Sequence, residues 1–562
     1  MNTSQLPDHA DVVIVGAGIS GLYCAYRLLT ANPSATVVVL DRLNRVGGRL
    51  DTDLVTIYDA GGHPVQVKDE EGGMRFNQSA TELLALLADL GMTDQQVPFP
   101  MGDGNNLYHL RGRTFTVAEA AANGNALWSE IYNLGPAEHG KSPDDIRTAV
   151  YDFLVTSNGA EVPADPSPEF WQRFRLDFTF QGTPLKDWGL WALYRAYGLS
   201  EECIAMCADT AGFAAPFYSL VNAGEAYQIL EDFPANPQFS TLSGGFGSLP
   251  ATVGGRVEAM GGTIALSVCV DSIERTAVGL MVTVAGPITS ATITCDRLVL
   301  ALPATALQLL QAKSPALNHV GNPLADSLAA DLQTVVPMRL CKVNLYYTDA
   351  WWRDGTEPSS PHVANGPSFT DLPMGAVYVF NPMVAADVDG PAPLTIYCDF
   401  TKTNFWETLQ SLEPKFDSPL QRQHEQDPEI MFPASQAIVD EATRQLTEMF
   451  AMAIPQPVLT SFRLWSGEHQ FGYAYHQWAR HADDRSVITR MISPVENVYV
   501  CNEAFSDDQG WVNGSLRSCN LVLDNHFGIA PLPSSQPTTS PAASSPVASR
   551  SLASNVPIGA SR

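Results

Sequence analysis

Two hydrophobic periods alternate along the chain, and their order predicts an α/β protein. Val12, Val13, Ile14 and Val15 form an unbroken apolar run of β-branched residues, which suits a buried strand of a parallel sheet. Ile19, Leu22, Tyr23, Tyr26 and Leu29 then recur at helical spacing, and residues 36–40 make a second short apolar strand. An alternating stretch follows and runs into an amphipathic helix from about Ala80. Residues 101 to about 235 are richer in helical pattern, with helices expected over 118–132, 144–156, 184–198 and 200–210. Trp188, Trp191 and Tyr194, three apart, read as core. Strands are expected again over 263–274 and 297–302, and 311–490 reads as alternating strands with aromatic content. In the run MRLCKVNLYY, alternation points Leu340, Lys342 and Asn344 to one face. From about Pro531 the chain is rich in Ser, Ala and Pro without aromatics; it cannot bury enough to order itself, so disorder is expected.

Length and charge narrow this further. At 562 residues the chain is too long for one ordinary core, so two or three domains are expected. Sixty acidic against 32 basic residues give a net charge of −28, which argues against nucleic acid or an anionic membrane as the main partner. No apolar run approaches membrane-spanning length, and MNTSQLPDHAD lacks the basic region and apolar core of an ordinary secretory signal. A cytoplasmic location is therefore expected. The nine cysteines are scattered; Cys203 and Cys207 are four apart, but no second pair at ligand spacing accompanies them. All nine read as mostly buried thiols in a reducing compartment, and no metal is expected.

The chemistry begins in the first turn. Gly16, Gly18 and Gly21 stand at G-x-G-x-x-G spacing between the first strand and its helix. The first allows the turn, the second lets backbone approach a pyrophosphate, and the third lets helix pack on strand. The helix aims its positive N-terminus at the phosphates. Asp41 closes the second strand 20 residues after Gly21, where a carboxylate takes a ribose 2′-hydroxyl. The plain alternative is a βαβ unit whose glycines serve packing alone. Just past Asp41, Arg45-Val46-Gly47-Gly48-Arg49 makes a second glycine turn, with N–H groups and guanidinium charge for the same pyrophosphate.

That second turn resembles the R-x-G-G-R segment of the flavin-dependent amine oxidase family, and the resemblance extends over roughly residues 11–530. It implies non-covalent FAD held by Gly16, Gly18, Ser20 and Gly21, by Asp41 and Arg42, and by Gly48 and Arg49. Asp41 stands where glutamate is commoner in the family. Glu71-Gly72-Gly73-Met74-Arg75-Phe76 resembles the L-amino acid oxidase branch, where the arginine pairs with the substrate carboxylate; Gly73, Met74 and Arg75 would also meet the cofactor. Lys342, before Trp351-Trp352, matches a family lysine that holds a water beside the flavin and is the expected catalytic residue. SFTDLPMGAVY resembles the segment whose tyrosine, here Tyr378, also binds the carboxylate. WSGEHQFGYAYHQW, from Trp465, resembles the pocket wall; its His469 and His476 read as ordinary hydrogen-bonded histidines. Val270 would place backbone near the adenine. In VYVCNEAFSDDQGWVNGSLRSCN, Glu503 would bind the ribityl or pyrophosphate region. There the backbone of Gly510, Trp511 and Val512 would meet the ring, with Gly510 and Trp511 flanking the substrate. Cys501 carries no apparent flavin-attachment motif.

The fold so implied is a Rossmann-like FAD-binding domain built from discontinuous segments (1–75, 240–310 and 491–530), a mixed-sheet substrate-binding domain (76–110, 226–239 and 311–490) and a helical domain (111–225), followed by the tail (531–562). The implied reaction is oxidation of an L-amino acid by O2 to 2-oxo acid, ammonia and hydrogen peroxide. A homodimer is a further family-level expectation. Three other readings stay open: an amino acid monooxygenase of the same fold, a polyamine or monoamine oxidase for which Arg75 is unexplained, and a flavin-binding protein without catalysis.

Overall fold

The computed structural model describes residues 6–533, apart from 60, 103, 234–237, 286–289, 319–322, 354–361, 380–389, 425–431 and 468–471. His469 and all but the first three residues of the expected disordered tail lie outside the described residues. The protein is α/β. Strand His9–Val15 is flanked in parallel by Val37–Leu40 and Ser290–Leu300, and Thr263–Ala265 extends the sheet beyond Val37–Leu40. Val498–Val500 pairs in parallel with the far end of Ser290–Leu300, while Gly279–Ala285 and Cys269–Thr276 continue the sheet antiparallel. Helix Ile19–Ala31 packs between helices Ser248–Ala259 and Val512–Val522, so both ends of the chain share one apolar layer. A second layer covers the other face with Leu307, Leu310, Val487 and Met491.

A second, mixed sheet holds the strands Leu459–Trp465, Leu340–Tyr347, Ala392–Asp399, Ala376–Val379, Gly366–Thr370, Leu107–Leu110 and Arg113–Thr116, in that order. All its pairings are antiparallel except that of Gly366–Thr370 with Leu107–Leu110. All eight residues of Leu340–Tyr347 are buried, because helices Lys402–Gln410 and Gln436–Phe450 cover one face and the interior of the protein the other. A third apolar cluster is helical, built on Pro143–Ser157, Pro168–Leu176, Leu190–Tyr197, Glu201–Thr210 and Ala223–Glu231. Trp188 and Trp191 pack against it and Tyr194 is fully buried in it, which fits their reading as core.

Four expectations differ. The 311–490 span, expected as alternating strands, also holds helices Pro323–Asp331, Lys402–Gln410, Pro419–His424, Gln436–Phe450 and Asp484–Met491. The 263–274 strand is two, Thr263–Ala265 and Cys269–Thr276, on opposite sides of the sheet; Ser267, at φ +58°, turns the chain between them. The 118–132 helix breaks into Val117–Ala121 and Ala126–Ile131, because Asn123, Gly124 and Asn125 adopt left-handed backbone. Of 184–198 only Leu190–Tyr197 is α-helical. By contrast 144–156 becomes Pro143–Ser157, started by a capping box between Ser142 and Asp145, and 200–210 becomes Glu201–Thr210 with Ser200 as its cap. Among the described residues no helix is long and apolar enough to cross a membrane.

Candidate active site

A cavity of about 450 Å³ runs from the carboxyl ends of the first sheet's parallel strands to the strand that carries Lys342. At its nucleotide end the three glycines do different work. Gly16 sits at φ +108°, and a Cβ there would meet the Ala301 carbonyl at 2.4 Å. A Cβ on Gly21 would lie 1.9 Å from the Gly16 carbonyl, so this glycine is spent on packing and does not face the cavity. A Cβ on Gly18 would meet nothing within 4 Å. Gly18 is also the N-cap of Ile19–Ala31 and offers no side chain, which leaves the helix N–H groups for an anion. The Asp41 carboxylate faces the cavity while accepting the Ala17 and Leu43 N–H groups at 2.7 and 2.8 Å. Burial raises its pKa and these backbone bonds pull it back. Ser20, Arg42 and Val270 line the same end. Uncovered helix N–H groups, an open glycine and a cavity-facing carboxylate together fit a dinucleotide such as FAD.

The second glycine turn is bridged to the first, Gly18 to Gly47, and Gly48 lies against it. Arg49 faces the cavity but pairs with Glu503 and the Ala474 carbonyl. Arg45 turns back onto its own loop and onto Asp51 at 3.0 Å, so only one of the two flanking guanidinium groups reaches the cavity. Glu503 is 3% exposed; it also contacts His476 Nδ1 at 2.7 Å and accepts the Gly510 N–H at 3.3 Å. Burial alone would raise its pKa, but Arg49 and His476 bring it down to about 2. Helix Val512–Val522 starts from Trp511 without a side-chain cap, so its first N–H groups are likewise uncovered beside the cavity-lining Val512.

At the other end the hairpin Thr52–Tyr58/Pro64–Glu70 delivers Gly72, Gly73, Met74 and Arg75 to the cavity wall. A Cβ on Gly72 would meet the Arg49 carbonyl at 2.0 Å, so the two glycine segments are packed backbone to backbone. Lys342 is buried, with Nζ donating to the carbonyls of Glu70 at 2.5 Å and Gly72 at 2.8 Å. Burial lowers its pKa to about 8. Trp465 donates its indole N–H to the Glu71 carbonyl at 2.8 Å. Two side chains of the second sheet thus hold the segment just before Arg75.

Arg75 is 6% exposed, and its Nε and Nη1 have no hydrogen-bond partner among the described residues. Four rings surround the guanidinium carbon, those of Phe233 at 5.1 Å, Phe239 at 5.3 Å, Tyr378 at 5.4 Å and Phe99 at 5.5 Å. Phe99 and Phe239 arrive on the paired strands Gln96–Phe99 and Phe239–Leu242. Trp511 stacks on Phe239 and donates to Asp232 at 2.7 Å. Tyr378 touches Arg75 but does not line the main cavity; it lines a separate space of about 30 Å³ with Lys68, Asp69 and Thr241. Strand Ala376–Val379 lies three strands in from the sheet edge, and its register with Ala392–Asp399 sets that position.

Apart from Gly21 and Tyr378, every residue expected at the site lines the cavity. Of the pocket-wall segment, Trp465, Gly467, Gly472, Ala474 and Tyr475 line it and His476 lies behind through Glu503. Phe213, Phe233 and Tyr397 line the cavity and Asp232 holds Trp511, yet no local motif marks any of the four. Their only signal is aromatic density in the segments around them.

A family model described as flavin containing amine oxidoreductase matches residues 19–413. Achacin of Lissachatina fulica is 23% identical over 560 residues, covering 93% of this chain and 94% of achacin. The L-amino-acid oxidase of Mus musculus is 25% identical over 376 residues, 65% of this chain and 51% of the mouse protein. Among solved structures, a putrescine oxidase bound to putrescine superposes with a TM-score of 0.61 at 17% identity, covering 92% of this chain and 99% of that one. The cyclohexylamine oxidase of Brevibacterium oxydans IH-35A gives 0.58 at 17% identity, covering 91% and 97%. At such identities these structures share the fold.

Proposed function

The chain belongs to the flavin-containing amine oxidoreductase family, and from that premise we propose that it oxidises L-amino acids to 2-oxo acids, ammonia and hydrogen peroxide with non-covalently held FAD. One observation carries the reading: Arg75 is a buried guanidinium without a protein counter-ion among the described residues, set in the cavity wall and ringed by aromatics. Such a cation needs an anion, and the described residues supply none. An amino acid brings a carboxylate; a simple amine brings none. Arg75 binds the carboxylate and the rings of Phe233, Phe239 and Tyr378 exclude water from the pair. Tyr378 acts as part of this box, packed against the guanidinium.

Bound in the cavity, the flavin would supply two-electron acceptor chemistry, with O2 as the final oxidant. The protein's part is orientation and desolvation. With its carboxylate fixed, the substrate has one way to present its Cα–H, which is an entropic contribution to rate. The apolar wall of Phe213, Phe233, Tyr397 and Trp465 favours the neutral amine, the form competent for oxidation. Lys342 uses two of its three N–H donors on backbone carbonyls and keeps one for a water in the cavity. Hydrolysis of the released imine needs no side chain.

A peroxide-coupled screen of L- and D-amino acids and simple amines tests the reading. Turnover of L-amino acids with 2-oxo acid and peroxide as products supports it. Carboxamide with CO2 would make the protein a monooxygenase, and turnover confined to amines would remove the role given to Arg75. Acid precipitation should leave the yellow flavin in the supernatant; flavin pelleting with the protein would overturn non-covalent binding.

A further inference from the structure

Cys24 lies one turn into helix Ile19–Ala31, Cys501 directly follows strand Val498–Val500, and Cys519 sits in helix Val512–Val522. All three are fully buried, and their sulfurs lie within 4.8 Å of one another, with Cys24 and Cys501 at 3.6 Å. No disulfide joins them. The Ser20 carbonyl is 3.3 Å from Cys519 Sγ.

We propose that Cys24, Cys501 and Cys519 form a closed binding site for one soft divalent metal ion of the zinc and cadmium class. An ion about 2.3 Å from three sulfurs holds them roughly 4 Å apart, close to the spacing already present. A tetrahedral ion takes a fourth ligand, for which the Ser20 carbonyl oxygen beside Cys519 Sγ is the candidate. On binding, each thiol releases its proton to solvent, and a divalent ion with three thiolates carries one net negative charge.

Charge is what separates this site from three small thiols packed in a core. Arg27, one turn beyond Cys24, is 8% exposed. Its guanidinium donates to the Tyr23 hydroxyl at 2.7 Å and the Ala530 carbonyl at 2.6 Å, both uncharged. Three neutral thiols leave that buried cation without a counter-charge among the described residues; a metal tris-thiolate supplies one. The three ligands also come from the segments that present Gly18, Glu503 and Val512 to the cavity. The ion thus rivets the two ends of the chain together behind the nucleotide, whatever the substrate is.

The test uses full-length holoprotein purified from cells grown with added zinc, analysed for metal by elemental mass spectrometry. A second sample is unfolded and refolded with FAD and Cd²⁺. Expected are about one equivalent of zinc per chain, and a thiolate-to-cadmium charge-transfer band after refolding. Cys24→Ala and Cys519→Ala should each lower metal content at least about tenfold, with flavin absorbance reporting the fold. Arg27→Gln keeps all three sulfurs and should lower metal retention against a chelator in the same direction, which covers the case of cysteine variants that do not fold. Metal-free protein in both preparations overturns the site, whether its thiols are free or Cys24 and Cys501 are joined in a disulfide. So does metal content unchanged in all three variants.

Discussion

His476 Nδ1 lies 2.7 Å from the Glu503 carboxylate, and Arg49 grips the same carboxylate from the other end of the chain. Two side chains on one buried acid tie the second glycine turn to the segment that carries Glu503. Both contacts favour the ionised acid. The Glu503 pKa is therefore about 2 when folded, against an ordinary 4.5. A depressed carboxylate contributes stability that is present above the unfolded pKa and lost as pH falls through the folded one. Acid unfolding should set in as pH falls from about 4.5 towards about 2, and Glu503→Gln should flatten it. Melting temperature against pH for the two proteins checks this. Parallel curves would detach Glu503 from acid stability.

Arg75→Ala should keep its yellow colour and lose amino acid turnover. Leaving the substrate carboxylate unpaired in a dry pocket costs about 2–5 kcal/mol, or roughly thirtyfold to several-thousandfold in kcat/KM. Steady-state kinetics measures the drop and the flavin spectrum confirms occupancy. Full activity in the variant would end the carboxylate reading.

Lys342 loses its proton as pH rises through about 8, because burial disfavours the ammonium. A limb near that pH should appear in the rates of flavin reduction or reoxidation measured by stopped flow. Lys342→Met should remove the limb and slow the affected half-reaction. Identical profiles would return Lys342 to a purely structural part, that of holding the Glu70 and Gly72 carbonyls.

Gly18→Ala and Gly21→Ala should fail in opposite ways. The first adds a methyl to open space in the cavity, so the apoprotein keeps its melting temperature while FAD binding weakens. The second drives a methyl into the Gly16 carbonyl and should cost about 1–3 kcal/mol of stability. Thermal melts of apoprotein together with FAD titration separate the two. Equal losses of stability would mean that Gly18 is also a packing residue.

Those parts of the site whose chemistry lies within one turn or one strand can be read from the residues alone. Gly16, Gly18 and Gly21 are legible because a βαβ crossover fixes their roles within a few residues, and Asp41 because strand length sets its distance from the turn. The helices expected over 144–156 and 200–210 are local in the same way, since their caps, Ser142 and Ser200, lie within one turn of them. The remainder depends on how distant segments pack. Arg75 gains its ring from Phe99, Phe233, Phe239 and Tyr378, which strand pairing brings in from distant segments. Sheet register sends Tyr378 to its own small space, Arg45 turns away from the cavity, and Cys24 meets Cys501 and Cys519 across nearly the whole chain. A hydrophobic period records which face of an element is buried but not which other element it is buried against. Pairing between remote strands and helices is settled when the whole core packs, and the neighbours of each functional side chain are settled with it.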